Sequence, residues 1–196
     1  MKINKLIYIF CIYFLSLTNS FSVEPDQFIQ STVDRASKLL SNNVSKEDKI
    51  KELEIIAKET VDIKGIGFYT LGSVRKTLDN DQKKEYLILF EKYFLKSFSS
   101  RLSEWTNPEI NVISQNIINK KYTIVNSVLK GTEDRPEVKI DWRIYTKDVD
   151  NPLIRDVIIE GLSLARTQKE EFSSIINSND GNIDALFKVL EDFSKN

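Results

Sequence analysis

Two neighbouring segments, Val138–Tyr145 and Leu153–Leu164, constrain the fold of this chain more than any other part of its sequence. In the first segment, apolar residues alternate strictly with charged ones: Val138, Ile140, Trp142 and Ile144 against Lys139, Asp141 and Arg143. Alternation with a period of two is typical of a β-strand that buries one of its faces. The first segment is therefore predicted to be a half-buried strand.

The second segment, Leu153–Leu164, is predicted to be a strand that is apolar on both faces. Ile154 and Ile158 fall on one face, whereas Val157 and Ile159 fall on the other. A strand of this kind needs a covering layer on each side. Because most of the remaining chain has helical spacing, we expect helices to provide that cover.

The rest of the chain adds two strands and six helical segments to this prediction. Strands are predicted over residues 109–118 and 121–130, and Asp79-Asn80-Asp81 is predicted to supply the N-cap of the longest helix. Helices are predicted over residues 25–41, 46–61, 66–71, 80–104, 166–177 and 182–193. The sequence thus predicts one α+β domain, residues 23–196, with a mostly antiparallel four-stranded sheet.

The first 22 residues have the pattern of a secretory signal peptide. Lys2 and Lys5 precede the apolar run Leu6–Leu17, which is shorter than the roughly 20 residues that a membrane-spanning helix needs. Ser20 and Ser22 supply small residues for cleavage after Ser22. We expect secretion, to the periplasm in a bacterium, although an uncleaved anchor helix is the alternative.

Two residue types on which much catalytic and metal chemistry depends are absent from the predicted mature chain. The chain has no histidine, and its one cysteine, Cys11, falls in the predicted signal peptide. The usual general base, the thiol nucleophile and the commonest metal ligands are therefore missing. We expect a protein that is not an enzyme, with no cofactor and no metal.

The charge of the mature chain argues against nucleic acid as a partner. Removal of the signal peptide takes two lysines, leaving 26 basic residues against 29 acidic ones, a net charge of −3. Proteins that bind nucleic acid usually present a basic excess. We therefore expect no nucleic-acid partner.

Asp156 and Glu160 are the carboxylates that keep a hydrolase open as an alternative. On one strand they would lie about 13 Å apart, whereas paired glycosidase carboxylates lie roughly 5 to 9.5 Å apart. Charges in such positions are more commonly solvated or paired across strands. A binding protein for an apolar molecule, a carboxylate-dependent hydrolase and a general interaction module all remain open at this point.

An aromatic stripe marks the longest predicted helix. Tyr86, Phe90, Phe94, Phe98 and Leu102 recur at every fourth position. Because each step of four residues drifts by about 40° on a 3.6-residue helix, the five side chains sweep a broad apolar face. Such a face either packs into a core or lines a ligand pocket, and the sequence allows both.

The order of several motifs resembles the MlaC family. These motifs are Gly72–Arg75, Asp81–Tyr86, Leu89–Phe94, Ser100–Leu102, Val138–Arg143, Ile154–Leu164 and Glu171–Ile176. The family comprises the periplasmic phospholipid-binding components of the Mla ABC transport system, also called toluene-tolerance auxiliary proteins. The resemblance covers essentially the whole mature chain, and its most specific part is the pair formed by the last two motifs.

The resemblance implies a carrier that holds phospholipid in an apolar pocket between a curved sheet and helices. It further implies exchange of lipid with an inner-membrane MCE-type ABC transporter and an outer-membrane lipoprotein complex, which maintains outer-membrane lipid asymmetry. We expect a monomer, and we expect the lipid to contact Phe90, Phe94, Phe98, Ile140, Trp142, Ile144 and Ile158. The alternative is a non-enzymatic periplasmic module for another hydrophobic small molecule.

Overall fold

The computed structural model describes residues 23–133 and 135–195, so the predicted signal peptide lies outside the described residues. The helices are α1 (Pro25–Ser41), α2 (Lys46–Thr60), α3 (Ile63–Thr70), α4 (Asn80–Leu102), α5 (Leu164–Asn177) and α6 (Ile183–Lys195), with a 3-10 turn at Val74–Lys76. The strands are β1 (Ile110–Asn119), β2 (Tyr122–Leu129), β3 (Val138–Tyr145), β4 (Leu153–Ile159) and β5 (Leu162–Ser163).

The sheet is an antiparallel meander in which the five strands follow one another in chain order. The half-buried strand predicted at Val138–Tyr145 is confirmed as β3. The prediction of four strands is wrong, because Leu153–Leu164 is a hairpin instead of one strand. Glu160 and Gly161 turn the chain with φ values of 49° and 83°, the two positive angles that a type I′ hairpin turn requires.

A β-bulge at Arg155 changes which residues of β4 lie on each face of the sheet. Arg143 pairs with Asp156, but the next residue, Ile144, pairs with Ile154, which leaves Arg155 without a partner on β3. Beyond the bulge the side chains change sides. Ile154 and Ile158, predicted to share a face, therefore lie on opposite faces.

We define the two faces of the sheet by residues that pair with one another on neighbouring strands, since paired residues point to the same side. The inner face contains Val125, Trp142 and Val157, and the outer face contains Ile124, Arg143 and Asp156. Helix α1 packs along β1 and β2, and the inner-face residues Thr123, Val125 and Ser127 of β2 are buried. The sheet therefore has its core on the inner face.

Helix α4 is the centre of the helical layer, and it packs against α2, α3 and α6. Its predicted N-cap is confirmed at Asp79, whose carboxylate accepts from the Gln82 amide while the Gln82 side chain accepts from the Asp79 amide. This reciprocal capping box satisfies two amides that the helix itself cannot bond. Tyr86 and Phe90 are buried at 0% and 1% exposure, so the first half of the aromatic stripe is core.

Along the described parts of the chain, none of the helices is both long enough and apolar enough to cross a lipid bilayer.

Candidate functional site

The seven residues predicted to contact lipid divide into three groups. Phe90, Ile140 and Ile144 are core residues with exposures of 1%, 7% and 0%. The ring of Phe90 is enclosed by other rings, with centroids 5.7 Å away at Tyr86 and 6.2 Å away at Phe172. These three side chains are in contact with protein on most sides.

Phe94, Phe98 and Trp142 form the second group and are half-buried beside the core. The rings of Phe94 and Phe98 stack at 5.8 Å with an angle of 8° between their planes. The indole of Trp142, on the inner face, donates from Nε1 to the Ser127 hydroxyl at 2.8 Å. We call these three half-buried residues the inner seam: Phe94 and Phe98 on α4, and Trp142 on the inner face of the sheet.

Ile158 forms the third group because the structure separates it from the other six residues. It pairs with Asp141 on β3, and antiparallel partners point to the same face. Asp141 alternates with Trp142, so Ile158 lies on the outer face and Trp142 on the inner one. Ile158 is therefore not brought together with the inner seam.

A half-enclosed groove of about 400 Å³ lies on the outer face, bounded by α3 on one side. We call it the outer groove; its apolar and aromatic lining residues are Ile66, Tyr69, Ile118, Tyr122, Ile124 and Ala165, and its remaining lining residues are Gly65, Arg143, Arg155 and Asp156. Ligand pockets typically enclose roughly 300 to 1,000 Å³. The volume and the mixed lining suit one apolar chain with a polar end.

Arg155 fixes one wall of the outer groove. Because it is the bulge residue, its side chain leaves the regular alternation and reaches Asp62 at 2.5 Å and the Tyr122 hydroxyl at 3.0 Å. Its guanidinium also lies 4.2 Å from the centroid of the Tyr145 ring. Burial disfavours the charged form, but the bonds and charge of Asp62 outweigh burial and raise the pKa of Arg155. This cation is permanent.

Arg143 is the second cation of the groove, and it is less engaged than Arg155. Its nearest carboxylate oxygen, on Asp156, is 3.9 Å away, and 44% of its side chain is exposed. The two oxygens of Asp156 accept instead from the Ser163 hydroxyl at 2.6 Å and the Ala165 amide at 3.0 Å. Arg143 therefore has donors to offer an anion at the groove.

The two carboxylates that kept a hydrolase open have structural partners. Asp156 is buried at 4% exposure and joins β4 to the start of α5 through the two bonds above. Glu160 sits in the hairpin turn and accepts from the Lys139 amide at 2.6 Å. Residues 23–133 and 135–195 contain no cluster of three or more metal-ligating acids, histidines or cysteines.

A second concavity, between α3 and α5, is larger but less suited to an apolar ligand. It encloses about 690 Å³, and its lining is mostly polar: Tyr69, Arg166, Lys169, Glu170, Ser173, Ser174, Asn177 and Ser178. Without an apolar floor it offers little to hold a hydrocarbon chain. We therefore regard the outer groove as the better candidate site.

Among the lining residues of the outer groove, sequence reasoning singled out only Asp156 as a candidate site residue, and did so as a hydrolase carboxylate. The available signal was the pair Arg155–Asp156 within an otherwise apolar strand, because charges in such a strand must find partners. The bulge that aims Arg155 at Asp62 has no signature in the local pattern. The groove also combines α3 with β1 to β4, which are distant in sequence.

The meander sheet, the helical layer and the outer groove together define an α+β domain with an apolar concave site. The family model described as "MlaC protein" matches residues 30–192. The chain therefore belongs to the MlaC family.

A solved structure has the same fold over most of the chain. It is a phospholipid-binding protein from Ralstonia solanacearum, determined in complex with a phospholipid, and the two chains superpose with a TM-score of 0.73 at 15% sequence identity. The superposition covers 88% of this chain and 98% of that one. A search among proteins with curated functions found no match.

Proposed function

We propose that the protein is a periplasmic phospholipid-binding shuttle, which carries phospholipid between the outer and inner membranes for an ABC transporter. The observation that carries this proposal is the outer groove, with its apolar floor and an incompletely paired Arg143 beside it. Membership of the MlaC family and the shared fold with a phospholipid-binding protein support it. The phosphate would lie at Arg143, with an acyl chain along Ile66, Ile118 and Ile124.

The energetics explain why a carrier of this kind is needed. Two acyl chains hold about 30 methylenes, and exposing each to water costs roughly 0.8 kcal/mol, so free lipid in water is disfavoured by more than about 20 kcal/mol. A membrane and a protein groove are both apolar, so transfer between them comes closer to balance with each methylene that the groove encloses. Such a carrier needs no hydrolysis of its own.

The inner seam is a second proposed place for hydrocarbon. Phe94, Phe98 and Trp142, three of the residues that the sequence predicted to contact lipid, present half-buried aromatic surface. Phe90, Ile140 and Ile144, also predicted to contact lipid, are buried among protein atoms, and Ile158 lies on the outer face. The partners that we propose are an inner-membrane MCE-type transporter and an outer-membrane lipoprotein complex.

Native mass spectrometry of protein purified without detergent, followed by extraction of the bound molecule, tests the proposal. We expect close to one phospholipid per chain. Ile124→Asp places a charge on the groove floor and should reduce the lipid-bound fraction at least about tenfold. Ile88→Asp is the matched control, because Ile88 is 50% exposed on α4, away from the groove.

Trp142→Asp distinguishes the two proposed locations, with circular dichroism to show that each variant is folded. Loss of lipid in Trp142→Asp but not in Ile124→Asp would move the site to the inner seam. A different hydrophobic molecule in the extract would favour the alternative binding module. A mass without ligand, together with no uptake from liposomes, would contradict the proposal.

A further inference from the structure

The tip of the β1–β2 hairpin carries two exposed large apolar side chains, one of which lines the groove. Ile117 and Ile118 are 73% and 54% exposed. Ile117 pairs with Thr123 on the inner face, whereas Ile118 lines the outer groove. The two adjacent isoleucines therefore lie on opposite faces of the hairpin tip.

Two lysines follow these isoleucines after Asn119. Lys120 and Lys121 are exposed, and neither forms an ion pair with a residue in the described part of the chain. Unpaired lysines beside exposed isoleucines combine a positive charge with an apolar surface. Anionic phospholipid headgroups above hydrocarbon have the complementary arrangement.

The loop between β3 and β4 lies beside this tip and extends the same surface. The Thr146 amide donates to the Lys121 carbonyl at 2.9 Å, and Val149 in this loop is 52% exposed. The loop also contains Lys147, Asp148 and Asp150, and Asp148 accepts from the Asp150 amide and the Asn151 side chain. The two loops together hold three lysines against two aspartates, which leaves a positive balance.

We propose that this end of the sheet, consisting of Ile117, Ile118, Lys120, Lys121 and Val149, docks on the surface of a bilayer that contains anionic phospholipid. A stable protein interface buries about 800 Å² and roughly 20 to 30 residues on each partner, many more than the five residues of this surface. A fluid headgroup layer accepts so small a surface, with the isoleucines in the interface and the lysines at the phosphates.

The position of Ile118 connects docking to the proposed carrier function. Because Ile118 belongs both to the tip and to the groove lining, docking would bring the groove to the membrane surface. A lipid would then have a short path between the bilayer and the protein. Membrane docking itself does not require a lipid in the groove, so the two proposals are tested separately.

Flotation of the protein with vesicles tests the inference. The probes are phosphatidylcholine vesicles and vesicles of phosphatidylcholine with phosphatidylglycerol, at low and high salt. We expect binding to the anionic vesicles that weakens with salt. The double variant Ile117→Asp/Ile118→Asp should lower the partition coefficient between vesicles and water at least about tenfold. The double variant Lys120→Ala/Lys121→Ala should lower it about fivefold for each lysine removed.

Ile88→Asp is again the matched control, because Ile88 and Ile118 are 50% and 54% exposed, and it should bind vesicles like the unaltered protein. All variants carry the same N-terminus, so differences between them report on the tip. Absence of binding to anionic vesicles, or equal binding by the tip variants, would overturn the inference. So would a concentration-dependent dimer that the isoleucine variant abolishes, since the tip would then join two copies of the chain.

Discussion

Gly67 lets α3 pack closely against α4, because its side chain is only a hydrogen atom. A Cβ atom at this position would lie 2.8 Å from Cδ1 of Phe90 and 3.3 Å from Cδ2 of Leu87. Phe90 cannot move aside easily, because it is 1% exposed and enclosed by other rings. The absence of a side chain at Gly67 is what lets the two helices approach.

We predict that Gly67→Ala destabilises the protein by about 1 to 3 kcal/mol through overpacking. Helix propensity alone predicts the opposite sign, since alanine is favoured over glycine by about 1 kcal/mol inside a helix. Urea unfolding measures the change. A stabilised Gly67→Ala variant would show that α3 is able to shift away from Phe90.

The burial of individual side chains was the least predictable property of the candidate site. The stripe Tyr86, Phe90, Phe94 and Phe98 was recognised from its spacing, but the spacing treats all four positions alike. Tyr86 and Phe90 are buried, whereas Phe94 and Phe98 are half-buried. The difference depends on what other elements place over each ring, which the stripe itself does not encode.

At the scale of elements, Asp156 joins β4, β5 and α5. It accepts from the hydroxyl of Ser163 and from the amide of Ala165, and it is almost fully buried. The same serine accepts from the Arg166 amide as the N-cap of α5. One carboxylate thus positions the hairpin and the helix that follows it.

We predict that Asp156→Ala costs about 2 to 4 kcal/mol of unfolding free energy, because it leaves two buried donors without acceptors. Glu160→Gln is the control, since Glu160 is exposed in the turn and glutamine keeps an acceptor for Lys139. Thermal and urea unfolding measure both variants. Equal stabilities for the two would contradict the role assigned to Asp156.

The elements themselves were largely predictable, and the exceptions have physical causes. Helix α1 and strand β3 begin and end at the predicted residues. The helical start of α5 at Leu164 was missed, because apolar residues resume at Leu162 and Leu164 after the turn and extend the apparent strand. Glu160 adopts a positive φ, a conformation for which glutamate has no particular preference, so the hairpin has no strong signal in the sequence.

At the scale of the whole molecule, Arg155 ties the helical layer to the sheet. It connects Asp62, at the start of α3, with Tyr122 on β2 and the ring of Tyr145 on β3. Beside it, the Asp62 amide donates to the Ile154 carbonyl at 2.9 Å. These contacts hold α3 over the outer groove.

We predict that Arg155→Ala destabilises the protein by about 1.5 to 3 kcal/mol, the range of hydrogen bonds to charged groups. Asp62 would keep the Gly65 amide as a donor but lose its counter-ion. Arg155→Lys restores the charge without the planar fork, so an intermediate loss is expected. Hydrogen exchange at the Asp62 amide, with urea unfolding, measures the effect; unchanged protection in Arg155→Ala would contradict it.

The sequence by itself determined the α+β class, most element boundaries and the resemblance to the MlaC family, because periodicity, capping and motif order are local properties. Tertiary structure decided the fifth strand, the face of Ile158, and the outer groove formed by α3 and the sheet. Arg155 illustrates the reason: a bulge moves one residue out of register, and its partners lie 93 and 33 positions away in the chain. Only the folded chain brings such partners together, and the free energy of those contacts selects the bulge.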